Sequence, residues 1–315
     1  MSQDGGVRKG GLTPRVGEDG PVLSRDEAIL ADARTIVAEA QAAGLEVRLL
    51  GALAIRLHSA DFADLHRRLG RLGTPGRGEF SDLDFAAYGR QRPLLRKVFE
   101  DRLGYKVDPH MLFNRGADRL IYYPPGRDYY IDVFFDRLDF SHVVPFGPAP
   151  GRGRLGLDSP TIPLADLLLE KLQIHEINEK DIKDLIVLFR AHGLEAAGSE
   201  GSGAGAGDGS PPEPDGRRAD SVGRETIDLG YVAGLLADDW GFWYDATTNL
   251  GKVAAFAKRY AEAGLLAPED LADVLAKIER TLSLLAGTPK GRRWLKRSRL
   301  GTRTPWWQEV EEVRR

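Results

Sequence analysis

The sequence Phe80-Ser81-Asp82-Leu83-Asp84-Phe85 gives the clearest indication of the fold. From Asp82 onward its residues alternate between acidic and apolar, which is typical of a strand with one acidic and one apolar face. Alternate side chains of a strand share a face, so both carboxylates project together. Two hard oxygen ligands held side by side suit Mg²⁺. We therefore predict a strand over residues 82–87 that carries a metal site. The alternative is a solvated face of an edge strand.

A glycine turn precedes this strand in the chain. Residues 46–50 are predicted to form a short strand and residues 52–59 a helix, with Gly51 at the junction. Small residues such as Gly51 and Ala52 let a phosphate approach the backbone N–H groups at a helix N-terminus. The alternative is a tight strand-to-helix turn that binds no ligand.

A third acid, Asp132, lies inside the aromatic and β-branched run YYIDVFF of residues 129–135. Such a run is typical of a central strand, where a lone carboxylate needs a partner, a metal or a raised pKa. Asp132 is thus a candidate third metal ligand. The alternative is a buried ion pair with an arginine such as Arg119 or Arg137.

Composition limits the classes of protein to consider. The 315 residues are 42% hydrophobic and 29% charged, with a net charge of −3, as in an ordinary globular protein. The chain has no cysteine, which excludes thiol catalysis, disulfides and thiolate metal sites. We see no apolar run of transmembrane length and expect a cytoplasmic protein without a membrane partner. The six histidines show no ligand spacing, and we interpret them as structural.

The order of elements predicts a mixed α/β, or α+β, fold followed by helices. Helices are expected over residues 24–44, 92–103, 164–177 and 181–192, and further strands over residues 105–113, 119–123 and 140–146. Residues 226–287 are expected to be helical, with breaks near Gly241, Gly251, Gly264 and Pro268.

Together these motifs resemble the polymerase-β-like nucleotidyltransferase superfamily. Within it, the chain is most similar to the abortive-infection toxin-type enzymes of type IV toxin–antitoxin systems, which are bacterial. The resemblance rests on Gly51-Ala52-Leu53-Ala54, on Arg77 ahead of Asp82-Leu83-Asp84-Phe85, and on Asp132. It continues through Glu170-Lys171-Leu172 and Lys180-Asp181-Ile182-Lys183-Asp184-Leu185, so that it covers about residues 25–194. Ala52 departs from the Gly or Ser of that family, and Arg77 lies unusually far from Asp82.

The resemblance implies a mechanism. Asp82, Asp84 and Asp132 would hold two Mg²⁺ ions on an NTP, and Asp132 would also deprotonate or orient a hydroxyl acceptor. Gly51, Ala52, Ser81 and Arg77 would hold the phosphates, while Lys171 would neutralise their charge. An NMP would pass to RNA, a protein or a small molecule such as an aminoglycoside, and pyrophosphate would leave. For Lys171 alone, the alternative is a lysine that snorkels from an apolar helix face.

Composition and sequence pattern, together with the resemblance over about residues 25–194, predict a domain order. We expect a disordered leader over residues 1–24, a nucleotidyltransferase-fold catalytic domain with a mixed sheet over 25–157 and a helical extension of the active site over 158–197. These are followed by a Gly/Ser/Pro linker over 198–223, a helical region over 224–288 and a tail over 289–315.

Residues 290–303 hold seven basic residues and no acid, with tryptophans among and after them. This pattern fits binding of RNA, such as a tRNA acceptor; the alternative is a solvated tail whose tryptophans dock on the body.

Two other function classes stay open. The fold could be a non-catalytic module that binds a nucleotide or a partner, such as an antitoxin, because Ala52 departs from the family. It could also be an unrelated metal-dependent phosphatase or nuclease, which would need further acid or histidine ligands. The nucleotide, the acceptor and the oligomeric state do not follow from the sequence.

Overall fold

The computed structural model describes residues 24–71, 78–110, 118–195 and 225–309. Over these residues the chain has a mixed α+β fold with a five-stranded sheet and flanking helices, as predicted. The helices are α1 (Arg25–Ala42), α2 (Gly51–His58), α3 (Ala63–Leu69), α4 (Arg92–Arg96), α5 (Leu164–Leu172), α6 (Glu179–Ala191), α7 (Leu229–Asp238), α8 (Trp240–Glu262), α9 (Pro268–Gly287) and α10 (Arg292–Ser298). The strands are β1 (Val47–Leu50), β2 (Leu83–Ala87), β3 (Lys106–Val107), β4 (Arg119–Tyr123), β5 (Ile131–Phe135), β6 (Arg137–Asp139), β7 (Val143–Pro145), β8 (Gly193–Glu195) and β9 (Thr226–Asp228).

The central sheet has the strand order β1-β2-β5-β4-β3. Strand β2 pairs antiparallel with β1 and parallel with β5, while β4 pairs antiparallel with both β5 and β3. Strand β2 is therefore flanked on both sides, and the predicted alternative of an edge strand is wrong. Leu83 and Phe85, on its apolar face, are fully buried.

Local chemistry sets the start of α1. The Ser24 side chain accepts from the Glu27 N–H, and the Glu27 carboxylate accepts from the Ser24 N–H at 2.8 Å, which forms a capping box. The predicted helix over residues 24–44 is confirmed to within two residues.

Helices from either side of residues 196–224, which lie outside the described ranges, pack together. Strands β8 and β9 pair in parallel across that gap, and α9 packs on both α6 and α8. The predicted linker over residues 198–223 and leader over residues 1–24 lie almost wholly outside the described residues.

Several predicted element bounds differ from the structure. Helix α5 ends at Leu172 rather than at residue 177, and α6 begins two residues early because Asn178 caps it. The helix over residues 92–103 is α-helical only to Arg96 and continues as a π-helix over Lys97–Arg102. Of the strands predicted over 105–113 and 140–146, the structure shows the short β3 and β7, and residues 111–113 are not described.

The predicted break near Gly241 is confirmed, because α7 ends at Asp238 and α8 begins at Trp240. The predicted break near Gly251 is wrong, since that residue lies inside α8. The absence of a side chain at Gly241 matters for packing, because a Cβ there would stand 2.6 Å from the Trp306 carbonyl oxygen. The glycine lets the C-terminal segment lie directly on α8. The breaks at Gly264 and Pro268 are confirmed, because α8 ends at Glu262 and α9 begins at Pro268.

Candidate active site

The candidate site lies where β1 ends and β2 and β5 begin. Leu50, the last residue of β1, is paired with Asp84, and Asp84 is in register with Asp132 of β5. Paired residues on neighbouring strands point to the same face and lie about 5 Å apart. Asp82 precedes the first residue of β2, so the predicted strand begins one residue late. The structure thus brings the three predicted acids to one end of one sheet face.

Asp84 carries unbalanced negative charge. It makes no hydrogen bond or ion pair with another described residue. Burial, together with the charges of Asp82, Asp132 and Glu170, raises the pKa of Asp84 well above its usual range, and the attraction of Lys171 offsets this only in part. Several carboxylates crowd together at this end of the sheet. A cation would bind most strongly beside them.

Gly51 joins β1 to α2 and touches Asp84. Its φ of +75° lies in the region that glycine favours, and a Cβ there would stand 3.0 Å from Asp84 Oδ2. The Gly51 N–H donates to the Glu170 carboxylate at 2.9 Å. Ala52 follows as a buried residue of the first turn of α2. The helix N-terminus predicted to hold a phosphate therefore faces an anion already, the carboxylate of Glu170.

Lys171 is buried rather than snorkelling. Its Nζ lies 2.9 Å from Asp181, 3.3 Å from Glu170 and 3.3 Å from Asp184. Burial alone would lower the pKa of Lys171, but the attraction of these three carboxylates outweighs it and holds the pKa well above its usual value. Burial also raises the pKa of Glu170. Lys171 is thus a permanently charged group within a carboxylate cluster.

Asp184 connects this cluster to α3. It is fully buried, with Oδ1 at 2.8 Å from His66 Nε2 and at 2.9 Å from Arg71 Nε. Burial would raise the pKa of Asp184, but Arg71 and Lys171 lower it far below its usual range. Asp184 is therefore a buried, paired carboxylate and not a solvated surface charge.

Asp132 forms the ion pair that was the alternative to a metal ligand. Arg119, on the neighbouring strand β4, donates from Nε at 3.1 Å and from Nη2 at 2.6 Å, one bond to each oxygen of Asp132. The Arg119 guanidinium also lies over the Phe134 ring, 5.1 Å from its centroid. Asp132 is only 3% exposed. The ion pair with Arg119 offsets the free-energy cost of burying its charge in the core.

Asp82 is held by two hydroxyl groups. Tyr130 donates to Asp82 Oδ2 at 2.7 Å and Ser81 donates to Asp82 Oδ1 at 3.1 Å. Ser81 itself is exposed. Arg77, the predicted phosphate ligand, lies outside the described residues.

The acids fit a magnesium site of the kind that the substrate completes. Within the described ranges, no group of three or more His, Asp or Glu side chains is placed to hold a metal ion. Magnesium is usually bound by one or two carboxylates together with water and substrate phosphates, rather than by a protein cage. Asp82 and Asp84 supply two such carboxylates, and the unbalanced charge of Asp84 fits a hard cation.

Sequence reasoning assigned no site role to Glu170, Arg71 or Tyr130. For Glu170 a signal existed, because an acid inside the apolar run of α5 is the same feature that marked Asp132. Arg71 and Tyr130 gave no comparable signal, since each reaches its partner only through tertiary packing. The contact from Arg71 to Asp184 spans 113 residues of sequence.

The tryptophans of the tail dock on the body. Trp307 stacks on His175 at 3.7 Å between ring centroids, and Trp294 packs edge-on against Trp243. Trp306 Nε1 donates to Asp245 at 3.0 Å, and the same carboxylate contacts His142 and His175. These histidines and the tail form one anchored cluster.

Comparison with known proteins gives little further information. No protein-family model and no curated protein matches the chain. Among solved structures, the antibiotic-resistance factor ANT(2'')-Ia matches with 14% identity and a TM-score of 0.32, over 52% of this chain and 83% of that one. A likeness of this degree establishes neither a common fold nor a common activity. Separately, none of the described helices combines the length and apolarity needed to cross a membrane.

Proposed function

We propose that this protein is a Mg²⁺-dependent nucleotidyltransferase that moves an NMP from an NTP to a hydroxyl acceptor. The observation that carries the proposal is Asp84: a carboxylate without a partner among the described residues, crowded by Asp82 and Asp132, in contact with the glycine turn that opens α2. Surplus negative charge beside a helix N-terminus fits a cation on one side and phosphates on the other.

Each candidate site residue has a separate role in the proposed transfer. Asp82 and Asp84 would hold the metal, which would supply charge neutralisation on the triphosphate. The acceptor oxygen attacks the α-phosphorus, the bond from that phosphorus to the bridging oxygen of pyrophosphate breaks, and the hydroxyl proton passes to a nearby carboxylate. We assign the role of proton acceptor to Asp132, because it is in register with Asp84 and the ion pair with Arg119 fixes its orientation. Gly51, Ala52 and Lys171 lie on the side where the phosphates would bind.

The test is transfer of label from each α-³²P-labelled NTP, with Mg²⁺, to cellular RNA, protein or small hydroxyl compounds. Asp82→Ala/Asp84→Ala is the inactive variant, and Asp64→Ala/Asp101→Ala removes two exposed acids as its matched control. We expect label transfer by the wild type and the control alone. Absence of both transfer and Mg²⁺-dependent NTP binding would remove the proposal.

A second candidate function is a non-catalytic module on the same fold. One observation favours it: protein groups already satisfy two of the predicted phosphate contacts, the Gly51 N–H through Glu170 and the Lys171 ammonium through three carboxylates. If the site is degenerate, NTP should not bind even when Glu170→Gln removes the competing negative charge. Tighter Mg²⁺–NTP binding by Glu170→Gln would favour the enzyme.

For the acceptor, we propose RNA that approaches along α10. Arg292, Arg293, Lys296 and Arg299 are exposed there, whereas the tail tryptophans are docked on the body. Phosphate contacts, more than base stacking, would then provide the affinity. The variant Arg292→Glu/Arg293→Glu/Lys296→Glu keeps the docked segment and should weaken RNA binding and flatten its salt dependence. Binding that is unchanged by the reversal would exclude this surface.

A further inference from the structure

A cavity lies beside the candidate active site. It measures about 910 Å³ and is lined by residues of α1, the C-terminal half of α2, α3, residues 78–80 and Lys183 of α6. Pockets that bind small molecules typically measure about 300–1,000 Å³. This cavity is therefore large enough for a metabolite-sized ligand.

The lining of the cavity carries an excess of positive charge. Six basic side chains face three acids there. The basic residues are Arg34, Arg56, Arg67, Arg68, Arg71 and Lys183, and the acids are Asp26, Glu27 and Glu79.

All three acids already have partners. Asp26 accepts from the Glu79 N–H at 2.8 Å, and Glu27 closes the capping box of α1. The Glu79 carboxylate lies 2.5 Å from Arg56 and 3.9 Å from Arg67. Acids outside the lining pair with three of the basic residues, Asp64 with Arg67, Asp184 with Arg71 and Glu179 with Lys183, so the surplus charge rests on Arg34 and Arg68.

Three of the arginines have unused donors. Arg34 and Arg68 make no ion pair or hydrogen bond with any other described residue. Arg56 Nε is buried without a hydrogen-bond partner within the same part of the chain. A buried unsatisfied donor is rare in folded proteins and calls for a ligand or another explanation.

The remaining wall of the cavity is apolar. Leu30, Leu57, Leu69 and Phe80 contribute to it, and the Arg56 guanidinium lies over the Phe80 ring at 5.5 Å from the centroid. This combination of donors and apolar surface is suited to a molecule with an anionic group and a flat apolar body.

We propose that this cavity binds an anionic small molecule, with its phosphate or carboxylate among Arg34, Arg56 and Arg68 and an apolar ring against Leu57 and Phe80. The proposal does not depend on the nucleotidyltransferase function, because none of these side chains belongs to the cluster at Asp84. The cavity nevertheless borders that cluster, since Phe80 stands two residues before Asp82 and Arg71 contacts Asp184.

The test is isothermal titration of the full chain with 1-naphthyl phosphate, 1-naphthoate and neutral 1-naphthol. We expect at least one anionic probe to bind about tenfold or more tightly than 1-naphthol. Comparison of the two anions identifies whether the natural ligand carries a phosphate or a carboxylate. Arg34→Ala/Arg68→Ala, at exposed positions, should raise the Kd of the anion about tenfold, while Arg292→Ala/Arg293→Ala on α10 should leave it unchanged.

Two further variants locate the binding. Ala60→Trp would place a large side chain in the cavity from an exposed position and should abolish binding. Asp82→Ala/Asp84→Ala should leave probe binding intact, because those residues lie outside the cavity. Equal affinity for all three probes, an unchanged Kd in Arg34→Ala/Arg68→Ala, or loss of binding in the double aspartate variant would each overturn the proposal.

Discussion

Asp84 is the residue at which function and stability oppose one another. Neighbouring acids repel its charge, and the attraction of Lys171 offsets that repulsion only in part. Replacing it with asparagine keeps the size and removes the charge. We predict that Asp84→Asn raises the free energy of unfolding by about 1 kcal/mol in metal-free buffer. It should lower transferase activity by about 10²-fold or more.

Urea unfolding without Mg²⁺ checks the stability half of this prediction. Asp101→Asn is the matched control, because Asp101 is exposed and its replacement should change stability by less than about 0.5 kcal/mol. A destabilised Asp84→Asn protein would show that the carboxylate has a stabilising partner in solution.

Lys171 has the opposite character, because its charge holds three carboxylates together. Lys171→Met keeps much of the side-chain volume but leaves Glu170, Asp181 and Asp184 without their shared cation. We predict a loss of about 3 kcal/mol or more, as is usual when one partner of a buried ion pair is removed. Thermal or urea unfolding measures it.

Lys180→Met is the control for Lys171→Met, since Lys180 is exposed one residue before Asp181. Equal stability of the two variants would mean that the buried cluster does not depend on the lysine. Lys171→Arg should recover only part of the loss, because the longer, planar guanidinium does not fit a site built around one ammonium group.

At the scale of elements, the turn between β1 and α2 links backbone conformation to the candidate active site, because Gly51 has a positive φ and lies against Asp84. Gly51 and Gly44 have nearly equal φ values, +75° and +76°, but a Cβ added at Gly51 would meet Asp84 within 4 Å, whereas one added at Gly44 would meet no described neighbour. Gly51→Ala and Gly44→Ala therefore share the strain of a positive φ and differ in the contact with Asp84.

We predict that Gly44→Ala costs about 1 kcal/mol of stability and that Gly51→Ala costs more. Gly51→Ala should also abolish NTP binding, whereas Gly44→Ala should preserve it. Unfolding curves and nucleotide titrations of the two variants provide the comparison. Equal effects on both measurements would show that the turn contributes only its backbone conformation.

Elements with a strong periodic pattern were predictable from sequence. The alternation of acids with Leu83 and Phe85 identified β2, and the capping serine with a following glycine identified α1. The end of α5 and the start of α6 were not predicted, because the turn after Leu172 and the capping by Asn178 override the apolar pattern. The hydrogen bond from Gly51 to Glu170 spans 119 residues and is visible only once α5 packs on α2.

At the scale of the whole molecule, His192 lies at a junction between the sheet and the helices. It is the C-cap of α6 and lies just before β8, with Nε2 at 3.2 Å from the Ser59 hydroxyl after α2. The His192 side chain is 2% exposed, and its Nδ1 has no hydrogen-bond partner among the described residues. Burial lowers the pKa of His192 to about 3. The junction is therefore built around a neutral imidazole.

A neutral buried histidine makes stability depend on pH in a defined direction. On unfolding, His192 can take up a proton below about pH 6.5, whereas the folded side chain stays neutral down to about pH 3. The unfolded state binds more protons throughout this window, so the free energy of unfolding falls as the pH falls. From pH 6.5 to 5.0 this one residue should account for a loss of about 1.5 kcal/mol.

Urea unfolding at pH 6.5 and 5.0 measures that loss. We expect His192→Asn, which cannot be protonated, to reduce the pH-dependent loss by about 1.5 kcal/mol relative to the wild type. His110→Asn, at an exposed histidine, should leave the loss unchanged. A His192→Asn protein with the wild-type pH dependence would mean that the junction opens enough to protonate His192 in the folded state. The sheet and the helices would then be less firmly joined than these contacts indicate.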